Sequence, residues 1–211
     1  MKPNKAVLGR YEALLFDMDG TILTSIAAAE RAWSAWAGRV GVPAVQVLSY
    51  MHGRQAVDTI RVFSPATANI DTEVRWLDER ELEDLDGVAE VPGAGAFLRA
   101  LPADRWAVVT SANRALALKR IEAAGLPVPP VLISSDDISR GKPDPEGYIR
   151  AAQILRVKAT SCLVFEDTRA GLKVFPADNR KCAHRSKNAR SGREESLVRV
   201  LSGIEGEDHG K

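Results

Sequence analysis

The sequence predicts an α/β fold, with a mainly parallel sheet and an all-helical subdomain inserted after the first strand. Three observations predict it. Short apolar runs alternate with segments of helical period, the pattern of strands joined by helical crossovers. Three of the four runs end directly in acids or hydroxyls: Asp17 and Asp19, Thr110 and Ser111, Glu166 and Asp167. The stretch from about residue 25 to 91 holds helix-like patterns and no convincing strand, and it is too long for a simple crossover.

The elements follow in order. Ala13-Leu14-Leu15-Phe16 is a short apolar run that stops at Asp17, as a strand buried on both faces does. From Ser25, the residues Ile26, Ala29, Trp33, Trp36, Ala37 and Val40 fall at helical spacing, and Gly41 follows as a stop. AVQVLSYM, QAVDTIRVF and EVRWLDERELEDL continue as helices until Val91-Pro92-Gly93 breaks the chain. GAFLRAL reads as a helix and Trp106–Val109 as a second strand. ALALKRIEAAGL is a helix closed by Gly125, and Val131-Leu132-Ile133 is a third strand. EGYIRAAQILRV is a helix, and Cys162–Phe165 a fourth strand. Trp33 and Trp36 are expected to form subdomain core rather than a sugar-stacking platform, and Cys162 to be a small buried hydrophobe. After about residue 173 the chain turns polar and rich in Arg, Lys, Ser and Gly, and only SLVRVLSGI keeps a weak apolar period. Much of this tail is expected to be poorly ordered.

Composition excludes some functions. The chain has 211 residues with 45% hydrophobic, 27% charged and a formal net charge of +1, so bulk charge favours neither nucleic acid nor an anionic membrane as partner. No apolar run approaches the roughly 20 residues of a membrane span. The N-terminus lacks the apolar segment of a secretory signal, and Cys162 and Cys182 do not make a disulfide framework or a metal-spaced cluster, so a cytoplasmic location is expected.

In a parallel sheet, ligands bind beyond the carboxyl ends of the strands, and three strands deliver acids and hydroxyls to that edge. Lys142, in the turn Gly141-Lys142-Pro143-Asp144-Pro145, brings a cation to it. Four carboxylates around one lysine call for a hard divalent cation with oxygen ligands, and Mg2+ suits a site that also holds phosphate. A carboxylate can be a covalent nucleophile, and a second one two positions on can protonate a leaving oxygen and later deprotonate water. Gly20 permits a tight turn near the ligand, where free backbone N–H groups could hold phosphate oxygens.

The set DMDGT (17–21), VVTSAN (108–113), GKPDP (141–145) and FEDTRAG (165–171), in this order and spacing, resembles the haloacid dehalogenase superfamily of phosphatases over roughly residues 11 to 173. The resemblance implies a Rossmann-like core over 11–24 and 92–173, a helical cap of the C1 type over 25–91, and an atypical segment over 174–211. It implies Asp17 as nucleophile and Asp19 as general acid and base. Thr110, which could also cap the following helix, would bind phosphate with the backbone at Ser111. Lys142 would stabilise the phosphoryl centre and the charge on Asp17. Mg2+ would be held by Asp17, Asp167 and the backbone carbonyl of Asp19, with Glu166 joining directly or through water.

AAAERAWSAWA, YMHGRQAVDTI, EVPGA and GKPDPEGYI look most like the sugar- and polyol-phosphate phosphatases of that superfamily, including those of hexitol phosphate, 2-deoxyglucose-6-phosphate and glycerol phosphate. There, His52 and Arg54 match a cap loop that reaches the substrate, although a histidine at such a place is most often simply core or surface. The expected partner is a small phosphate ester, acted on by a monomer or weak dimer. A sugar phosphomutase, or a catalytically impaired remnant, are the alternatives. Asp19 argues against dehalogenase chemistry. The absence of lysine from Ile22 to Pro92 argues against the Schiff-base phosphonate hydrolases. Past Gly171, the small-residue helix and further strand of such proteins cannot be recognised, as a reading-frame change near residue 173 would leave it. The sheet is therefore expected to lose an edge strand.

Overall fold

The computed structural model describes residues 11–174 and the backbone of 197–200. Five strands form the main sheet: β1 (Ala13–Phe16), β4 (Trp106–Val109), β5 (Leu132–Ile133), β6 (Cys162–Glu166) and β7 (Leu197–Val200), in the order β5-β4-β1-β6-β7. The first four are parallel, with Leu15 opposite Ala107 on one side and Val164 on the other. The uninterrupted apolar runs arise because both sheet faces are covered. Ala13, Leu15, Ala107, Val109, Cys162 and Val164 pack on one face with Tyr148 and Ala151 of helix α7 (Glu146–Ile154). Leu14, Phe16, Trp106 and Val108 pack on the other with Leu98 of α5 (Ala94–Ala100) and Ala117 and Ile121 of α6 (Arg114–Ala123). At about 25 cal/mol per Å2 of apolar area, each such large side chain contributes about 1.5–3 kcal/mol to the core.

Five helices intervene between β1 and β4, and the first four make up the inserted unit: α1 (Ile26–Val40), α2 (Ala44–Met51), α3 (Ala56–Phe63) and α4 (Ile70–Glu83). Helix α1 stops where Gly41 adopts φ 74° and returns its N–H to the Ala37 and Gly38 carbonyls. These helices have a core of their own, in which Trp33 and Trp36 meet edge to face with centroids 5.6 Å apart, beside Val47, Met51, Ile60 and Leu77. The fully buried Trp36 donates its indole N–H to Glu73 at 3.1 Å. The expectation that the tryptophans build the cap core holds, with Trp33 also facing the cleft described below.

Two features depart from expectation. A two-stranded antiparallel ribbon, β2 (Leu23–Thr24) with β3 (Ala89–Glu90), clamps the two chain crossings between core and helical unit. Second, the sheet does not lose its edge beside β6. Residues 197–200 pair with β6 antiparallel, Phe165 opposite Val198. An unpaired strand edge presents a row of unmet N–H and C=O groups, and a four-residue segment suffices to satisfy it. The remainder of the tail, expected to be poorly ordered, lies outside the described residues. Helix α8 (Arg169–Leu172) follows β6 directly.

Candidate active site

A cleft of about 820 Å3 opens at the carboxyl ends of the parallel strands, between the sheet and the cap helices. Strand β1 ends at Asp17, whose N–H still bonds to the Phe165 carbonyl at 2.9 Å, so the strand itself fixes where this carboxylate points. Asp17 is 5% exposed. Its Oδ1 accepts from the Lys142 ammonium, and its Oδ2 accepts from the Thr21 hydroxyl at 3.3 Å. Lys142, equally buried, also pairs with Glu166 at 2.6 Å, and its Nζ lies 5.5 Å from the centre of the Tyr148 ring.

Glu166 has no exposure, and its carboxylate is fully engaged. Oε1 meets Tyr148 Oη at 3.0 Å as well as Lys142, while Oε2 accepts from the Thr168 N–H and hydroxyl, both at 3.0 Å. Its acidity is raised despite burial, because Lys142 and these donors hold the charged form. Burial pushes Asp17 well above the usual carboxylate range; Lys142 opposes this, while Glu166 and Asp167 add to it. Burial and Glu166 lift Asp167 to about 6. Burial disfavours the Lys142 ammonium too, but Asp17 and Glu166 more than reverse this, so the lysine stays charged. Negative charge thus exceeds what one lysine balances. Asp17, Glu166 and Asp167 offer carboxylate oxygens within 4.8 Å of one another, an all-oxygen donor set that fits a hard divalent cation.

Asp19 sits one turn further on, in the cleft wall. Its Oδ1 accepts from Ser25 Oγ at 2.5 Å and from Arg120 Nη1 at 3.1 Å. Gly20 makes the turn just after the two acids at φ 85°, and a Cβ there would fall 2.0 Å from Asp167 Oδ2. The close approach expected of Gly20 is present, but its N–H is not an open anion donor. It bonds to the Leu23 carbonyl at 2.7 Å, and Thr21 N–H bonds to Met18 at 3.2 Å, because the chain closes the tight turn that leads into the ribbon.

Thr110 and Ser111 end β4 at the cleft. The helix cap is Asn113 rather than Thr110: Asn113 accepts from Leu116 N–H at 2.9 Å, while Thr110 accepts from Ala112 N–H at 3.1 Å within the turn. The Ser111 hydroxyl donates to the Gly53 carbonyl of the cap at 3.0 Å. His52 and Arg54 both line the cleft. His52 Nε2 lies 3.6 Å from Glu30, and the Arg54 guanidinium stacks 4.2 Å from the Tyr50 ring centre. The fold therefore gathers every candidate site residue around one cleft, with Glu166 and Lys142 beneath its surface.

Sequence reasoning missed Arg120, Glu81, Ser25 and Tyr148. Arg120 is 5% exposed and bonds through Nη2 to Glu81 of α4 at 3.0 Å. Burial, against the pull of Arg120, lifts Glu81 to about 7. A signal was available: the buried positions of α6 are Leu116, Ala117, Arg120 and Ile121, so an arginine falls on the apolar stripe.

Comparison with known proteins agrees with this geometry. The family model for haloacid dehalogenase-like hydrolases matches residues 11–176. Hexitol phosphatase A of Escherichia coli (strain K12) is 40% identical over 167 residues, covering 77% of each chain. The 2-deoxyglucose-6-phosphate phosphatase 2 of Saccharomyces cerevisiae is 34% identical over 184 residues, covering 77% of this chain and 75% of its own. A hydrolase from Pseudomonas syringae shares the fold, with TM-score 0.66 at 24% identity over 77% of this chain and 78% of that one. No helix among the described residues is long and apolar enough to cross a membrane. With four motifs in one cleft and a family match spanning core and cap, the chain belongs to the haloacid dehalogenase-like hydrolases.

Proposed function

We propose that the protein hydrolyses a small sugar or polyol monophosphate, with Mg2+ and through an aspartyl-phosphate on Asp17. The observation that carries this is the pair of acids at the end of β1: Asp17 buried against Lys142, and Asp19 beside it in the cleft wall. Their environments differ, which suits one to attack and the other to exchange protons. An Asp17 oxygen forms a bond to phosphorus as the ester P–O bond breaks. Asp19 gives its proton to the departing alkoxide, and the alcohol leaves. The Asp19 carboxylate then takes a proton from water, whose oxygen bonds to phosphorus and releases Asp17 and inorganic phosphate. Throughout, Lys142 offsets charge on Asp17, and Glu166, anchored by Tyr148 and Thr168, holds the lysine in place.

Asp17, Asp167 and the backbone carbonyl of Asp19 would hold Mg2+. Glu166, its four hydrogen-bonding positions in use, fits better as an anchor or a water-mediated ligand. The cation would supply charge stabilisation to the phosphoryl oxygens. Thr110 and the backbone at Ser111, which line the cleft, would receive phosphate. His52, Arg54, Glu30 and Asp78 line the distal cleft with groups that suit hydroxyls. Hexitol- and deoxyglucose-phosphate phosphatases among the relatives support the same substrate class.

Phosphate release from a panel of hexitol, hexose, glycerol and nucleoside monophosphates, with Mg2+ or with chelator, tests the proposal. The expected result is release from polyol or hexose phosphates, abolished by chelator and by Asp17→Asn. No release from any ester, a preference for nucleotides, or conversion of a hexose phosphate to its isomer without release would contradict it.

A further inference from the structure

We propose that Arg120 is a positioning residue that orients Asp19 for proton transfer and ties that orientation to the seating of the cap; this rests on the phosphatase reading above. Arg120 rises from core helix α6 and is nearly enclosed. Its two terminal nitrogens serve different masters. Nη1 donates to Asp19 Oδ1 at 3.1 Å, while Nη2 donates to Glu81 Oε1 at 3.0 Å, and Glu81 belongs to cap helix α4. Ser25, at the start of α1 where the chain enters the cap, donates to the same Asp19 oxygen at 2.5 Å. Both donors converge on Oδ1, which leaves Oδ2 as the oxygen to give and take the proton in the cleft.

The planar guanidinium suits this task because its fork addresses two carboxylates in fixed directions, which a lysine point charge does not. A buried ion pair is in itself a weak source of stability, since desolvation offsets much of the attraction. Arg120 Nε is moreover buried with no hydrogen-bond partner. Stability alone therefore gives little reason for an arginine on the apolar stripe of α6. Its geometry does: Glu81 holds the guanidinium against Asp19 only when α4 lies over the core, so the acid is braced by two cap-side elements together.

The test compares Arg120→Met, Arg120→Lys and Glu81→Gln with wild type. It measures kcat/KM, which covers the steps through alcohol departure, on phosphate monoesters of graded leaving-group basicity. A p-nitrophenolate leaves without a proton, whereas an alkoxide needs one. Asp19→Asn calibrates the readout. Arg120→Met is expected to lose about 10- to 100-fold in kcat/KM on an alkyl phosphate, a fraction of the whole general-acid contribution, and to stay within about threefold on p-nitrophenyl phosphate. Glu81→Gln is expected to show the same leaving-group dependence at smaller amplitude, and Arg120→Lys an intermediate one. Should Arg120→Met fail to fold, the other two variants carry the same readout. An equal loss on every leaving group, or none, would overturn the positioning role, and a neutral Glu81→Gln would overturn the link to the cap. Failure of the phosphatase reading looks different: wild type would release no phosphate, or Asp19→Asn would show no dependence on the leaving group.

Discussion

Replacing Gly53 by alanine isolates the contact through which the cap loop sits on the core. Gly53 has φ 75°, and its carbonyl accepts from Ser111 Oγ at 3.0 Å. A Cβ at this position would lie 2.4 Å from Thr168 Oγ1, 2.8 Å from Thr168 Cβ and 3.0 Å from its methyl. Rotating Thr168 cannot relieve the contact with its own Cβ, so the loop must lift by about 1 Å to reach the 3.5–4.0 Å at which carbon pairs attract. Such overpacking costs about 1–3 kcal/mol. Stretching the Ser111 bond adds about 1 kcal/mol. The sum, about 2–4 kcal/mol against the seated cap, corresponds to a loss of about 30-fold or more in kcat/KM. Positive φ adds strain of its own, and Gly87→Ala controls for it: Gly87 has φ 80° with nothing within 4 Å of its would-be Cβ. Steady-state kinetics on the best substrate from the phosphate-release panel, with thermal denaturation of both variants, is the assay. Gly87→Ala is expected to lose stability and keep kcat/KM within about twofold. Equal kinetic losses in the two variants, or a Gly53→Ala enzyme within about threefold of wild type, would refute the reasoning.

Three further predictions follow from buried charge. Lys142→Met leaves Asp17 and Glu166 enclosed without their cation, and urea unfolding in the presence of chelator is expected to show a loss of about 3–5 kcal/mol; unchanged stability would contradict the pairing. Burial lifts Glu81 from 4.5 to about 7 against the attraction of Arg120, with Asp19 and Asp78 adding repulsion. Between those values the folded chain keeps a proton that the unfolded chain has released, so stability falls as pH rises through the window. Wild type should therefore lose stability relative to Glu81→Gln from pH 4.5 to 7, and a constant difference between them would exclude the shift. Cys162, fully enclosed with its thiol pushed up to about 12, is expected to resist alkylation at pH 8 in the native protein and react in urea, as mapped by peptide mass spectrometry. Rapid native labelling would mean that β6 is not packed as described.

Much of this was legible in the sequence because the physics is local. Ala13–Phe16 reads as a strand buried on both faces, since no polar residue interrupts it before Asp17. The acids after β1 and β6 and the lysine before α7 announce a site because such residues otherwise have no reason to end core strands. The cap helices show through their period, with Trp33, Trp36 and Ala37 on one stripe. The ribbon of Leu23–Thr24 with Ala89–Glu90 was not legible, because two-residue strands carry no alternation. Nor was the pairing of Leu197–Val200 with β6, which depends on an open edge far away in sequence. Gly20 marked a turn, but only the fold reveals that the turn uses its N–H on Leu23. Arg120 was passed over for a related reason: a charge at helical spacing normally faces solvent, and its two partners lie 101 and 39 residues away.

The central claim is covalent chemistry at Asp17. Asp19→Asn should form the phosphoryl-enzyme from p-nitrophenyl phosphate, whose leaving group needs no proton, and then hydrolyse it slowly for want of a base. The variant is mixed with that ester and Mg2+, quenched in acid and weighed by intact-protein mass spectrometry. One added phosphoryl group is expected, mapped to the peptide containing Asp17 and absent from the Asp17→Asn, Asp19→Asn double variant. Phosphate release by wild type under the same conditions, with no phosphorylated Asp17 in the Asp19→Asn variant at any quench time, would contradict it.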